Sequence, residues 1–289
     1  LDKWIYRRTE ANRRVISRAE MWGRMYYWGF EVLDEQSIAG IFQRIIDESL
    51  HLQQKTYRKS FEAAEASETE IPELAKKSRV AFQGERGSFS EAAAFGILGA
   101  GCTPVPCQTF EDLYKAIDAG QADYILSPLE NSLVGSVHRC YDLLLHSSLS
   151  IVGEIILPIS HFLVACPEAT FETIQTVESH PVALAQCERF FAAHPHLKGV
   201  AADDTAGSVR RAVESGDSRR AAIGGRRAAE IYGGRILCEH LEDHAENYTR
   251  FVLLSPEANE SETGGKISLI VRLKHQPGAL HNALRPFVR

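Results

Sequence analysis

The run Asn-Tyr-Thr-Arg-Phe at residues 247–251 is the part of the sequence that most directly suggests chemistry. Its Thr249 and Arg250 would bring a hydroxyl group beside a guanidinium, and arginine binds carboxylates through two parallel hydrogen bonds. The same spacing is also typical of an edge-strand arginine in a surface ion pair. The motif therefore indicates either a site for an anionic ligand or a structural ion pair.

Four further polar motifs lie where predicted strands give way to helices, at residues 84–91, 128–135, 179–181 and 204–206. In the first of them, Ser88 and Glu91 have the spacing of a capping box. Helix N termini carry unpaired N–H groups and a partial positive charge, so several of them facing one cleft would bind an anion with more than one carboxylate. For each motif taken singly, ordinary helix capping is the alternative.

These motifs lie in a segment, residues 79–257, in which short apolar runs alternate with helical patterns. The runs predict strands at 80–82, 124–127, 151–157, 162–166, 176–178, 221–223 and 251–254. The periodic stretches between them predict helices at 110–119, 182–191, 206–213 and 226–232. Such alternation predicts an α/β fold whose sheet is largely parallel.

Composition and missing motifs exclude several classes of protein. Lys+Arg 32 against Asp+Glu 38 gives a net charge of −6, which argues against a nucleic-acid partner. No apolar run reaches the roughly 18 residues of a membrane span. The sequence has no dinucleotide fingerprint, phosphate loop or nucleophile elbow, which argues against both a cofactor-dependent enzyme and a catalytic-triad hydrolase. The six cysteines have no zinc spacing, which predicts reduced thiols, a cytoplasmic location and no metal site.

The order of these motifs resembles the prephenate dehydratase family over residues 79–257. The resemblance rests on Gly-x-x-Gly-Ser-Phe-Ser-Glu-Ala-Ala from residue 84, Pro-x-Glu-Asn-Ser-x-x-Gly from 128, Ser-His-Pro from 179 and Asn-x-Thr-Arg-Phe from 247. It implies two α/β lobes around a cleft, similar to type II periplasmic binding proteins. Lobe 1 would comprise residues 79–157 and 238–257, and lobe 2 residues 158–237.

The resemblance also implies the conversion of prephenate to phenylpyruvate, CO2 and water without a cofactor. Thr249 would be the essential residue, assisting departure of the hydroxyl group, with Arg250 holding a carboxylate. The other implied substrate-binding residues are Ser88, Ser90, Glu130, Asn131, Ser132, Ser179, His180, Thr205, Asn247 and Phe251. Two alternatives stay open, which are an arogenate dehydratase and a non-catalytic two-lobed carboxylate-binding protein.

The flanking segments resemble the other parts of a bifunctional chorismate mutase/prephenate dehydratase. Residues 1–56 are similar to the end of an all-helical mutase, with Ser49 and Gln53 at its functional positions, and 57–78 is expected to be a linker. The mutase family also uses basic residues from a long first helix that have no counterpart here, so we expect mutase activity of a full-length parent protein but not of this chain.

Residues 265–289 are similar to the start of an ACT regulatory domain, with a strand predicted at 267–273 and a helix beginning at Pro277-Gly278-Ala279-Leu280. The first residue is Leu1 rather than Met, and the last lies inside this unit, so we expect a piece of a longer protein. The resemblance implies L-phenylalanine as an allosteric effector of a full-length parent only, and a homodimer or higher oligomer.

Overall fold

The computed structural model describes residues 44, 77–257, 271, 273–274, 276 and 278–287. The chain divides into two compact units, one of residues 56–262 and one of residues 1–55 with 263–289. The predicted mutase-like positions Ser49 and Gln53, and the predicted linker up to residue 76, lie outside the described residues.

The larger unit alternates strands and helices along its described length. The strands are β1 (Arg79–Gln83), β2 (Thr103–Cys107), β3 (Tyr124–Asn131), β4 (Gly135–Ser136), β5 (Ser150–Pro158), β6 (Phe162–Ala165), β7 (Thr176–Ser179), β8 (Lys198–Ala201), β9 (Arg220–Gly224), β10 (Arg235–Cys238) and β11 (Tyr248–Ser255). Its helices are α1 (Phe89–Leu98), α2 (Phe110–Asp118), α3 (His138–Leu145), α4 (Pro181–Ala185), α5 (Glu188–Ala193), α6 (Thr205–Glu214) and α7 (Arg226–Tyr232).

The strands form two separate sheets, and each sheet with its helices makes one lobe. The first sheet has the order β2-β1-β3-β11-β5, with β4 paired to β3, and the second has the order β10-β6-β9-β7-β8. We call them lobe 1 and lobe 2. The chain passes from lobe 1 to lobe 2 between Pro158 and Phe162, and returns between Cys238 and Tyr248.

In lobe 1, the alternation of side chains along each strand builds two apolar layers. On one face of β11, Phe251 and Leu253 pack with α1, whereas Val252 and Leu254 on the other face pack with α2 and α3. Successive residues of a strand point to opposite faces, so a sheet covered by helices on both sides is apolar at every position. The continuous run Phe-Val-Leu-Leu in β11 follows from this double burial.

Lobe 2 is built in the same way around a smaller sheet. Leu163 of β6 and Ile223 of β9 pack on the side of α4 and α5, whereas Val164 and Ala222 pack with α6 and α7. Helix α6 begins after Asp204, whose carboxylate accepts the Gly207 N–H. A short side chain that caps the first turn in this way defines where a helix starts.

The expectation of a largely parallel sheet is wrong. Strand β1 pairs in parallel with β2 and β3, as does β7 with β8 and β9. However, β11 is antiparallel to β3 and β5, and β6 is antiparallel to β9 and β10. The first sheet is mixed because β11 returns from lobe 2 and inserts between β3 and β5, and the second is mixed because β6 runs antiparallel to both of its neighbours.

The seven predicted strands are confirmed, but four others were not expected, namely β2, β4, β8 and β10. The predicted helix at 182–191 is wrong as a single element, since Gln186 ends α4 and Cys187 precedes α5. None of the described helices is long and apolar enough to cross a membrane.

The outer strand β2 contains two prolines at positions that matter for the sheet edge. Thr103 donates its N–H inward to Ser78 O at 3.0 Å, so the alternate residues Pro104 and Pro106 face the open edge. Because proline has no N–H, β2 offers no outward hydrogen-bond donor at these two positions.

In the smaller unit, the structure describes helix α8 (Ala279–Leu284), followed by a short 3-10 turn. Its start agrees with the helix predicted from Pro277-Gly278-Ala279-Leu280. Most of the strand predicted at 267–273 lies outside the described residues, and Val271 and Leu273 are not in a strand.

The double burial of β11 can be tested with Leu254, which is fully buried between the sheet and its helices. We expect Leu254→Ala to lower the free energy of unfolding by about 2–5 kcal/mol, since it leaves a cavity in a close-packed layer. Urea unfolding followed by circular dichroism measures the change. The matched control is Leu145→Ala in α3, where the side chain is 43% exposed. Equal losses in both variants would contradict the assigned packing.

Candidate functional site

Thr249 and Asn131 lie opposite each other where β11 begins and β3 ends. They are register partners in the antiparallel pair, and Asn131 Nδ2 donates to Thr249 Oγ1 at 3.0 Å. Both residues are half-buried. The threonine oxygen therefore accepts a hydrogen bond from the protein, which leaves its own hydrogen directed elsewhere.

The orientation of the Asn131 amide is determined by its carbonyl end. Its Oδ1 accepts from Leu133 N at 3.0 Å and from Val134 N at 2.9 Å, which forms the turn after β3. Its Nδ2 lies within 3.1 Å of Tyr248 O and 2.8 Å of Asn247 Oδ1, as well as near Thr249. Two hydrogens thus serve three acceptors.

The network continues into lobe 2 through Asn247. Asn247 is fully buried, and its Nδ2 donates to Gln186 Oε1 at 3.0 Å. The same oxygen lies 2.8 Å from His161 Nε2. A chain of hydrogen-bonding side chains therefore runs from Thr249 in lobe 1 to Gln186 at the end of α4, where the two connecting segments between the lobes meet.

Ser132 holds the segment that enters β11. Its Oγ donates to Glu246 O at 2.9 Å and accepts from Tyr248 N at 2.9 Å. Its backbone N–H donates to Tyr248 O at 2.9 Å. Ser132, which is predicted to bind substrate, thus connects the turn after β3 to the residue before Thr249.

Arg250 lies on the other face of the sheet from Thr249, because neighbouring residues of a strand point in opposite directions. Its Nη2 donates to Glu154 Oε2 at 2.8 Å, and its Nη1 lies 3.6 Å from Glu130 Oε2. Tyr141 OH donates to the second oxygen of Glu130 at 2.8 Å. Burial alone would lower the pKa of Arg250, but the two carboxylates together raise it.

The structure therefore does not bring Arg250 and Glu130 together with Thr249. Of the two interpretations of the Thr-Arg pair, an arginine in an ion pair describes the observed contacts, although the Arg250 side chain is only 17% exposed and so does not lie at the surface. Because Thr249 and Arg250 are neighbours on β11, their side chains lie on opposite faces of the sheet.

The start of α1 faces lobe 2 rather than open solvent. Ser88 caps the helix by accepting from Glu91 N at 3.2 Å, as the sequence predicts. The second bond of the predicted capping box, from Ser88 N to the Glu91 side chain, is not formed, so that part of the prediction is wrong. Glu91 Oε2 instead accepts from Gly87 N at 2.8 Å and from Arg227 Nε of α7 at 2.8 Å. Glu91 is fully buried, and it is used to join the lobes.

Further contacts between the lobes surround this ion pair. Arg210 of α6 binds Glu85 through two nitrogens, at 2.7 and 2.9 Å, and this hydrogen bonding lowers the pKa of Glu85. Gly87 has a φ of +85°, and a Cβ there would lie 2.7 Å from the Cα of Ala228. Only glycine fits at this position, because both the backbone conformation and the approach of α7 exclude a side chain.

The remaining predicted residues have different surroundings. Ser179 Oγ donates to Ile223 O at 2.6 Å inside lobe 2, and His180 Nδ1 caps α4 by accepting from Val182 N. Thr205 is the first residue of α6, Ser90 is buried in the first turn of α1, and Phe251 is buried in the core beside it. Of these, Ser179 and Phe251 have positions explained by packing inside their own lobes.

Sequence reasoning missed three residues that the structure places at the junction of the lobes, namely His161, Gln186 and Arg227. His161 had a usable signal, since a histidine directly before the apolar strand Phe162–Ala165 is expected to be buried. Gln186 and Arg227 had none, because their partners are distant in sequence. Among the described residues, no three His, Cys, Asp or Glu side chains gather as metal ligands would.

The fold and this junction define a two-lobed α/β protein with its polar network between the lobes. The family model described as prephenate dehydratase matches residues 80–259. The crystal structure of prephenate dehydratase from Arthrobacter aurescens in complex with L-Phe is similar at 30% identity and a TM-score of 0.63, over 72% of this chain and 71% of that one. The chain belongs to the prephenate dehydratase family.

Curated relatives carry two kinds of name. One is arogenate dehydratase/prephenate dehydratase 2, chloroplastic, of Arabidopsis thaliana, 39% identical over 76% of this chain and 58% of its own length. Another is the bifunctional chorismate mutase/prephenate dehydratase of Enterobacter agglomerans, 33% identical over 87% of this chain and 64% of its own length. The chain thus spans about three fifths of the relatives that it matches.

The role of Arg250 can be tested by the stability of its ion pairs. We expect Arg250→Met to lower the free energy of unfolding by about 1–3 kcal/mol, because two partly buried carboxylates lose their counter-charge. The double variant with Glu154→Met should lose less than the sum of the single changes. Urea unfolding measures both.

The matched control is Arg139→Met, whose partner Glu111 is at the surface, and we expect a much smaller change there. If Arg250→Met kept full stability and instead weakened substrate binding, the guanidinium would be a carboxylate site, and the structural interpretation would be wrong.

Proposed function

We propose that the two-lobed unit is a prephenate dehydratase, which converts prephenate to phenylpyruvate, CO2 and water. The observation that carries the proposal is the Thr249 hydroxyl, held at the lobe junction by a hydrogen bond from Asn131 Nδ2 at 3.0 Å. Membership of the prephenate dehydratase family supports the same reaction.

The reaction needs two bonds to break on the same ring. The C–C bond to the ring carboxylate breaks to release CO2, and its electron pair enters the ring as the C–O bond to the hydroxyl group breaks. The departing hydroxide takes up one proton from solvent to become water. Because the ring becomes aromatic, the protein need only hold the substrate and stabilise the charge that develops on the leaving oxygen.

Thr249 would donate a hydrogen bond to that leaving oxygen. A threonine hydroxyl is far too weak an acid to give up its proton outright, so hydrogen bonding is the realistic contribution. As charge builds on the leaving oxygen, the hydrogen shifts towards it and Thr249 Oγ1 becomes more negative. The Asn131 Nδ2–H that points at Oγ1 stabilises this charge, and because it is positioned beforehand, no reorganisation is needed during the reaction.

The substrate carboxylates require donors elsewhere in the junction. The first turn of α1 is the best source of such donors, because Phe89 N and Ser90 N lie where a helix makes no internal hydrogen bond. The N–H groups on either side of them are already used, since Ser88 N donates to Glu85 O and Glu91 N donates to Ser88 Oγ. His180 and Thr205, at the starts of α4 and α6, are the candidates from lobe 2. Arg250 and Glu130 would act through the β3–β11 pair rather than by contact with substrate.

Arogenate is the alternative substrate, and the names of the plant relatives favour it. Relatives at 39% and 45% identity are named as dehydratases of arogenate, one of them also of prephenate. Arogenate carries an amino group where prephenate has a side-chain keto group. The two therefore present the same ring, hydroxyl and ring carboxylate to Thr249, and they differ only at the far end of the substrate.

We also propose that the unit belongs to a longer three-part protein. The alignment with the bifunctional relative covers 87% of this chain and so extends beyond residues 80–259. This supports a mutase-like segment at 1–56, a linker at 57–78 and the start of an ACT domain at 265–289. L-phenylalanine, present in the related A. aurescens structure, would be the allosteric effector of such a parent.

A cytoplasmic location and assembly as a homodimer or higher oligomer remain part of this proposal. All six cysteines are free thiols, and four of them are buried. Burial raises the pKa of Cys140 to about 11 and that of Cys187 to about 12, so both stay protonated and unreactive near neutral pH. Reduced, protected thiols are consistent with a reducing compartment.

The central test is the Thr249→Ala variant. We expect it to lower kcat for phenylpyruvate formation by at least about 100-fold, because one positioned donor to the leaving oxygen is lost. Thr249→Ser keeps the hydroxyl and should retain activity within about tenfold. Ultraviolet absorption of phenylpyruvate in alkali measures the product, and circular dichroism verifies the fold.

The control is Thr103→Ala, the same change on the outer strand β2, where the side chain is exposed. Near-normal turnover by Thr249→Ala would contradict the assignment of Thr249. If the unaltered chain bound prephenate but released no product, it would instead be the non-catalytic carboxylate-binding protein.

Substrate preference is tested by competition. We expect the chain to consume both prephenate and arogenate when each is offered alone, since the reacting part of the ring is shared. With both present at equal concentration, the ratio of phenylpyruvate to phenylalanine formed gives the ratio of the two kcat/KM values. Turnover of arogenate alone would overturn the prephenate assignment.

A further inference from the structure

His161 is a buried polar side chain at the junction of the lobes that the proposed reaction does not yet use. It is 2% exposed and lies in the connection between β5 and β6. Its backbone N–H donates to Glu242 Oε2 at 2.7 Å, and its carbonyl accepts from Leu241 N at 3.0 Å. His161 therefore joins the two segments by which the chain crosses between the lobes.

The two ring nitrogens of His161 have different surroundings. Nε2 lies 2.8 Å from Gln186 Oε1, whereas Nδ1 is buried and has no hydrogen-bond partner. Because Gln186 Oε1 is an acceptor, Nε2 must carry the hydrogen, and Nδ1 is then the unprotonated nitrogen of a neutral ring. Burial lowers the pKa of His161, which favours this neutral form. The Phe89 ring packs edge-on against the imidazole at 5.8 Å between ring centres.

The hydrogen on Nε2 determines how Gln186 faces lobe 1. Gln186 Oε1 accepts from His161 and also from Asn247 Nδ2 at 3.0 Å, so both of its lone pairs are used. With its Nδ2 committed to Gln186, Asn247 must turn its Oδ1 towards Asn131 Nδ2, at 2.8 Å. The amides of Gln186 and Asn247 are thereby each held in one of their two possible orientations.

The orientation of these amides matters at Asn131, which is the lobe 1 end of the hydrogen-bonded chain. Asn131 Nδ2 has two hydrogens and three acceptors within reach, namely Asn247 Oδ1, Tyr248 O and Thr249 Oγ1. When Asn247 is held in place it takes one hydrogen, and the other points at Tyr248 O and Thr249 Oγ1. If Asn247 were free to flip, its Nδ2 would face Asn131 Nδ2, and repulsion between these two donors would displace the Asn131 amide, so that the donor to Thr249 would be lost for part of the time.

We propose that His161 is a positioning residue, whose imidazole N–H holds Gln186 and Asn247 so that Asn131 presents a donor to Thr249 Oγ1. The inference rests on the proposed function, because it assigns a purpose to the Thr249 hydroxyl. A side chain at the start of lobe 2 thus controls one hydrogen bond in lobe 1, the bond from Asn131 to Thr249.

The test compares three replacements of His161 in the full chain. Glutamine carries an amide N–H at the position of Nε2, whereas asparagine reaches only the position of Nδ1, and leucine has no donor. We expect His161→Leu and His161→Asn to lower kcat by about 10–100-fold with KM changed by less than about threefold, because positioning rather than binding is lost. His161→Gln should restore kcat to within about threefold of the unaltered chain.

The matched control is His194→Leu, in which the lost imidazole packs edge-on against Phe171 in lobe 2, away from the network. Its kcat should stay within about twofold of the unaltered chain. Circular dichroism verifies the fold of each variant, and the comparison of glutamine with asparagine remains decisive if leucine prevents folding.

Full kcat in a folded His161→Asn or His161→Leu variant would overturn the inference, as would a folded His161→Gln variant as slow as His161→Asn. These outcomes differ from a failure of the proposed function. In that case the unaltered chain itself would release no product from prephenate or arogenate.

Discussion

The position of β11 in the middle of the first sheet is the constraint on which the site depends. The strand returns from lobe 2 and inserts between β3 and β5. Its antiparallel pairing with β3 aligns Thr249 with Asn131 and Arg250 with Glu130. Because a strand turns successive side chains to opposite faces, this single register separates a hydroxyl with an amide donor on one face from an arginine with its carboxylates on the other.

The same strand explains why the polar network reaches both lobes. Asn247 precedes β11 at the point where the chain leaves the connecting segment, so its amide lies against Gln186 as well as Asn131. Around it, the lobes are joined by buried or half-buried charges. Glu91 is fully buried, and the Arg227 guanidinium and the Gly87 N–H bind its Oε2 in place of water. An ion pair of this kind determines how the lobes fit together more than it adds to net stability.

Local patterns in the sequence were sufficient for the elements with strong apolar runs. Strands β1, β3, β5, β6, β7, β9 and β11 follow from such runs, and the cap at Ser88 follows from residue types. Strand β2 could not be predicted, because its Thr-Pro-Val-Pro-Cys run contains residues that normally end strands. The antiparallel pairing of β11 also has no local signal, since it depends on where the chain returns after some 90 intervening residues between β5 and β11.

In the site, the family motifs identified Thr249, Asn131 and Asn247 but did not predict how their side chains are arranged. It placed Arg250 beside Thr249, since neighbours in sequence look like neighbours in a site. Only the alternation of the strand and the presence of Glu154 on β5 show that the guanidinium is engaged elsewhere. Gln186 was beyond prediction for the opposite reason, because its partners His161 and Asn247 are distant in sequence and adjacent in space.

The prolines of β2 have a consequence for how molecules of this protein meet at high concentration. An exposed sheet edge can recruit a strand from another chain and so begin aggregation. At this edge the two outward positions, Pro104 and Pro106, have no hydrogen to give, so an incoming strand would leave its carbonyl oxygens unpaired there. The residues that concealed β2 from sequence interpretation thus also protect the folded protein from intermolecular strand addition along this edge.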